Sequence, residues 1–135
     1  MPGLSKLEDK EFIKAFQVTD RIIQNNQPIF ILIWIGSIIS VLCTIIVSIL
    51  SLGTLKAWLI ILTSLIYLLG VQGITISIHL PLNKHIQNID IDTTDSQTLS
   101  SERKNFETKW NFFNNIRTVI ALFVIFIFLL ILTIR

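Results

Sequence analysis

His79, Asn83, Asn114 and Arg117 are the side chains of this chain best suited to chemistry, and all four lie where apolar sequence gives way to polar sequence. His79 follows a run without charge from Ala57 to Ile78 and opens the segment His79-Leu80-Pro81-Leu82-Asn83. Trp110, Asn114, Arg117 and Thr118 open the last apolar stretch. An imidazole can act as a base near neutral pH. The carboxamide of Asn83 or Asn114 can hold an oxyanion, and the Arg117 guanidinium can neutralise charge. With the Trp110 indole and the Thr75 hydroxyl, this set could orient a flat, polarisable or anionic ligand. Polar groups at membrane depth are costly and usually have a reason. The competing reading is plainer. Trp110 and Arg117 would be interfacial anchors, while His79 and Asn83 would tie off a helix end.

The elements that must carry these residues are apolar helices. The chain has 135 residues, 52% of them hydrophobic and only 15% charged, against roughly 25% charged in an average globular chain. The charge is excluded from Ile29–Ser51, Ala57–Ile78 and Thr118–Ile134. A helix needs about 20 apolar residues to cross the hydrocarbon, so spans are expected at 29–51, 57–80 and 116–134. The fold class expected is all-α, a membrane helical bundle forming one integral membrane domain. An amphipathic helix from Leu4 to Gln24 should lie outside the membrane. Its apolar face is Phe12, Phe16 and Ile23 with Ile13. The third span should be the inner half of a long helix, capped at Ser100 or Ser101, that projects about 50 Å in all. Phe106, Trp110 and Phe113 on its outer half are spaced to pack on the amphipathic helix, and Asn114-Asn115 is expected to bend it.

Finer signals set the packing. Gly36, Ser40, Thr44 and Ser48 recur at intervals of four, which predicts a close-packed face in lipid, within the chain or in a homo-oligomer. Gln72, Thr75 and His79 form a polar line, and Pro81 is expected to mark the helix exit. Lys84–Leu99 reads as a connector rich in turn and cap residues. The acids Glu8, Asp9, Glu11, Glu102 and Glu107 read as a solvated face.

Several function classes are excluded. Nine acids balance the basic residues of the polar segments, so no nucleic-acid surface is expected. Cys43 is the single cysteine and sits mid-span, which rules out an internal disulfide framework or thiolate metal site. The spacing of His79, His85, Asp90 and Asp92 matches no established ligand pattern, so no metal is expected. Nucleophile elbow, phosphate loop and dinucleotide fingerprint are absent, and no cofactor is expected. Met1–Lys14 is polar from the outset and does not read as a signal peptide. The partners expected are the lipid bilayer and a hydrophobic small molecule, in a cell membrane.

Thr75-Ile-Ser-Ile-His79-Leu-Pro81-Leu82-Asn83 and Trp110-Asn-Phe-Phe113-Asn114-Asn-Ile-Arg117-Thr118 resemble the motifs of the anthrone oxygenase-like family of small integral membrane proteins. That family shows a span ending in Pro-Leu-Asn, then Trp-x-x-Trp-Asn-x-x-Arg-Thr opening the final span. Phe113 stands where the second tryptophan is common. The stretch Phe16 to Phe30, with Asn26-Gln27-Pro28, also looks like the family's segment before its second span. The resemblance implies His79, Asn83 and Asn114 as catalytic candidates and Thr75, Trp110 and Arg117 as binding candidates. It also implies chemistry in which O₂ converts an anthrone to an anthraquinone without metal or flavin. The alternative is a structural, ligand-binding or transport accessory protein. Family members mostly have four spans, and Met1-Pro2-Gly3-Leu4 looks like the end of the first one. The expectation is that this chain lacks that span.

Topology also predicts orientation. Nine of the eleven lysines and arginines lie in 1–28 or 81–117, leaving Lys56 and Arg135 for the opposite side. Basic residues near spans favour the cytoplasm. A Thr94→Cys variant in intact cells should therefore resist an impermeant thiol reagent until the membrane is opened; rapid labelling would reverse the assignment.

Overall fold

The computed structural model describes residues 3–24, with side chains through Ile22, and residues 27–51 and 53–133. It is all-α, with no strand among the described residues. Three helical stretches are long and apolar enough to span a membrane: Pro28–Ile49, Leu55–Gln87 and Ser96–Thr133. The chain is thus a helical membrane protein, with the large apolar side chains Ile33, Ile46, Leu62, Leu69, Leu122 and Phe126 turned outward. An outward apolar surface is what a hydrocarbon solvent selects.

Helix α1 (Asp9–Gln24) is the expected amphipathic helix, begun later than Leu4 because residues 4–7 form a turn closed by Leu7 N–H to the Leu4 carbonyl at 3.1 Å. Its Phe12, Ile13 and Phe16 are buried; the Ile23 side chain predicted for the same face lies outside the described residues. Helix α2 (Pro28–Ile49) begins on proline, whose missing N–H would be unpaired there anyway. Gly53 then turns the chain at φ 108°, a left-handed conformation that glycine adopts without a Cβ clash. The Thr54 hydroxyl caps helix α3 (Leu55–Ile66) by accepting from Ala57 N–H at 3.1 Å.

Helix α3 passes into two π-helical segments, Tyr67–Gly73 and Thr75–His79, and then helix α4 (Leu80–Gln87). This corrects the expectation that Pro81 ends the helix. The π turn directly before it, with Leu80 N–H reaching back to the Thr75 carbonyl, lets the chain pass a residue that lacks an N–H and crowds the preceding turn. The connector is correspondingly shorter than Lys84–Leu99, since Lys84 to Gln87 are helical.

Helix α5 (Ser96–Thr133) runs for 38 residues, about 57 Å, uninterrupted through Asn114-Asn115, so no break occurs there. Its cap is Asp95 rather than Ser100 or Ser101. The Asp95 carboxylate accepts from Thr98 N–H at 2.9 Å and Thr98 hydroxyl at 2.7 Å. Those two bonds, the hydroxyl first, hold the Asp95 carboxyl below its ordinary pKa. A depressed carboxyl contributes stability that is present above its unfolded value of about 3.9 and lost as pH falls through the folded value. Acidification below about pH 4 should therefore increase amide exchange in the first turn of α5. Asp95→Asn should show high exchange there already at neutral pH.

The core outside the spans is formed by Phe12, Ile13, Phe16, Ile86, Leu99 and Phe106, joined at its edge by Leu82 and Trp110. Phe106 meets Phe16 edge-on at 4.6 Å between ring centroids, as the predicted stripe required, whereas Phe113 pairs with Phe112 instead. Within the spans, the line of small residues is not packed inside the chain as a whole. Ser48 is buried, but Ser40 and Thr44 are exposed, and a Cβ on Gly36 would meet open space. The inward face of α2 is instead marked by Trp34 and Ser37, which bond towards the π segments.

Close approach occurs at Gly70, where a Cβ would lie 2.9 Å from both Ile120 Cδ1 and Cγ2. The Cγ2 sits on a stiff β-branched carbon and cannot swing aside. Gly70→Ala should destabilise the folded protein in detergent by about 1–3 kcal/mol through overpacking. Adding Ile120→Ala should recover part of that loss; strict additivity of the two effects would refute the contact.

Candidate functional site

The π segments decide where the polar line of the second span points. Its three side chains meet separate sets of partners. Gln72, buried, accepts from Trp34 Nε1–H at 2.8 Å and donates to the Tyr67 and Ser37 hydroxyls at 2.8 and 3.3 Å. That amide is satisfied and ties α2 to the first π segment. The Thr75 hydroxyl accepts from Arg117 Nη1 at 3.2 Å. His79, only 4% exposed, stacks edge-on against Trp110 with 5.1 Å between ring centroids.

Arg117 turns inward. Its second nitrogen donates to Asn114 Oδ1 at 2.7 Å, one turn earlier on α5. Its partners are thus Thr75 and Asn114, which places it inside the bundle and not as the interfacial anchor of the plainer reading. Both partners are neutral. Asn83, four residues beyond His79 on the same helix face, donates from Nδ2 to Asp20 Oδ1 of α1 at 2.9 Å. The other Asp20 oxygen accepts from Gln87 Nε2 at 3.1 Å. The site residues therefore form two groups along one seam: His79, Asn83 and Trp110 towards the surface, and Thr75, Asn114 and Arg117 below them.

The upper group is distinguished by what it leaves unused. His79 Nδ1 and Nε2, Asn83 Oδ1 and Trp110 Nε1 are all buried and make no hydrogen bond within the protein. Buried polar atoms are paired in the great majority of cases, and an unpaired one demands an explanation. Here four of them fall on three adjacent side chains. Their combined valence is one N–H donor from Trp110, one acceptor from Asn83 and one of each from neutral His79.

An open groove of about 390 Å³ is lined by Ser77, Ile78, Pro81, Leu82, Lys109 and Phe113. None of His79, Asn83 and Trp110 lines it, although Ile78, Leu82 and Lys109 are their neighbours in sequence. Its size falls in the range of small-molecule sites. No group of three or more histidine, cysteine, aspartate or glutamate side chains able to hold a metal occurs among the described residues.

Sequence reasoning missed two participants. Asp20 carries no motif in the sequence, yet it is 5% exposed and bonded to Asn83. Its signal was position: it falls four residues after Phe16, on the buried face of α1. Gln17 was the other, donating to the Ile86 and Ile89 carbonyls at 2.8 and 2.9 Å and so fixing α1 on α4.

No curated protein and no solved structure matches the chain. The sequence model of the anthrone oxygenase family matches residues 23–127, which include the second span, all six candidate residues and the seam between them. By that match over most of its length, the chain belongs to the anthrone oxygenase family.

Proposed function

We propose that the group of His79, Asn83 and Trp110 binds a flat hydrophobic aromatic ketone at the membrane surface and oxidises it with O₂, with no bound cofactor taking part. The observation that carries this reading is the set of four buried, unpaired polar atoms on His79, Asn83 and Trp110. For an anthrone, neutral His79 takes a proton from the methylene carbon between the two aromatic rings. The electron pair left behind delocalises onto the ketone oxygen, where Trp110 N–H can meet the developing charge. O₂ then accepts electrons from that carbon and bonds to it. His79 returns its proton to the peroxide, and loss of the remaining C–H proton with cleavage of the O–O bond expels water and leaves the second carbonyl, so anthrone and O₂ give anthraquinone and water with atoms balanced. Arg117, held by Thr75 and Asn114, adds a positive field beneath the site.

The test is O₂ uptake and quinone absorbance with 1,8-dihydroxyanthrone and the full chain in lipid nanodiscs. Uptake above that of empty nanodiscs, lost in a His79 variant, supports the reading. Tight binding of the anthrone with no excess uptake would instead make the protein a ligand-binding accessory.

A further inference from the structure

We infer that Asp20, on the surface helix α1, is a positioning residue that commits Asn83 to present its amide carbonyl, not its N–H₂, on the face it shares with His79. The inference deepens the proposed site and rests on that reading. A carboxylate offers only acceptors, and an amide carries a donor end and an acceptor end. With Asp20 Oδ1 at 2.9 Å from one end of Asn83, that end must be the N–H₂. The orientation is therefore set by chemistry and not by choice of fit. Asn83 Oδ1 is consequently turned the other way, where it is buried and unpaired one helical turn from His79.

Neighbouring contacts remove the freedom to flip. Gln87 Nε2 bridges Asp20 Oδ2 at 3.1 Å and the Gln17 carbonyl at 3.0 Å, holding the carboxylate from its second oxygen. Gln17 in turn donates to two carbonyls at the end of α4. Asp20 is thus anchored on both sides, and α1 serves as the clamp of the site as well as a cover for the core. One consequence revises the role expected of Asn83. It does not hold an oxyanion; it supplies an acceptor for a ligand hydroxyl or for a protonated His79. Oxyanion stabilisation then falls to Trp110 N–H.

The experiment uses the full chain in nanodiscs with ¹⁵N-labelled asparagine and histidine and ¹³C-labelled aspartate. In the unaltered protein, the Asn83 side-chain nitrogen should couple strongly to Asp20 Cγ. Asn83 nitrogen remote from Asp20 would overturn the inference without any variant. Asp20→Asn places both a donor and an acceptor opposite Asn83, so the amide can reverse. The His79 ring nitrogens should then shift, and kcat for 1,8-dihydroxyanthrone should fall about 10–100-fold with little change in KM. Gln87→Ala removes a second Asp20 partner but keeps the Asn83 bond, and should leave the His79 signals in place. Equal His79 shifts in both variants would reduce Asp20 to a structural tie. If Asn83 couples to Asp20 but the unaltered protein turns over no anthrone, the oxygenase reading fails and the positioning stands. If turnover is present and Asp20→Asn changes neither His79 nor kcat, the positioning fails and the oxygenase reading stands.

Discussion

His79→Gln should lower anthrone turnover by about 10²–10⁴-fold, the usual contribution of a positioned general base, while leaving ligand affinity within a few-fold. Glutamine fills a similar volume and keeps one donor and one acceptor. It cannot accept a proton and release it again near neutral pH. No neighbour stands ready to replace it. The Trp110 indole is a donor only, Asn83 is an amide, and Arg117 carries its charge at all working pH values. Folding should be affected only through the lost edge-on contact with Trp110, because His79 makes no hydrogen bond within the protein. The measurement is quinone formation at saturating 1,8-dihydroxyanthrone, set against the background oxidation in empty nanodiscs. Unchanged kcat would remove His79 from the chemistry. A raised KM with unchanged kcat would reassign it to binding alone.

The fold class and the three spans were legible because charge exclusion over a membrane thickness has few other meanings. The seam between His79 and Trp110 was legible for a related reason: both residues stand where apolar sequence meets polar sequence on the same side. The π segments were not. No residue type marks a π turn, and Pro81 suggested a helix exit where the widened turn carries the helix past it. The position of the Asp95 cap was in the sequence as Asp95 with Thr98 three residues on, but the serines further along offered an equally good pattern. The intervals of four from Gly36 to Ser48 were real as spacing. Packing uses another face of α2, because Trp34 and Ser37 find hydrogen-bond partners across the interface. Asp20 escaped notice because burial of a carboxylate depends on amides that arrive from α4, far along the chain.

Asp9 and Glu107 belong to the acids expected on a solvated face, and both are paired there with Arg103. That side chain, 13% exposed, donates from its guanidinium to the Leu7 carbonyl at 2.6 Å, the Ser5 carbonyl at 3.0 Å and Asp9 Oδ1 at 2.9 Å. Its Nε reaches Glu107 at 3.4 Å, and its carbon lies 4.6 Å above the Phe12 ring. One planar fork therefore joins the segment before α1, the start of α1 and α5. Arg103→Ala should destabilise the surface layer by about 2–4 kcal/mol, since it removes several charge-assisted bonds and leaves carbonyls and a carboxylate without their donor. Arg103→Lys should recover little, because an ammonium cannot match the fork or stack on Phe12. Hydrogen exchange localises the effect. Protection should fall in residues 4–16 and in the first turns of α5, while the spans around Gly70 and Ile120 keep theirs. Loss confined to this layer should also lower turnover, because α1 carries Asp20 to Asn83. Exchange unchanged in α1 would mean that apolar packing of Phe12, Phe16 and Phe106 alone suffices to hold the helix.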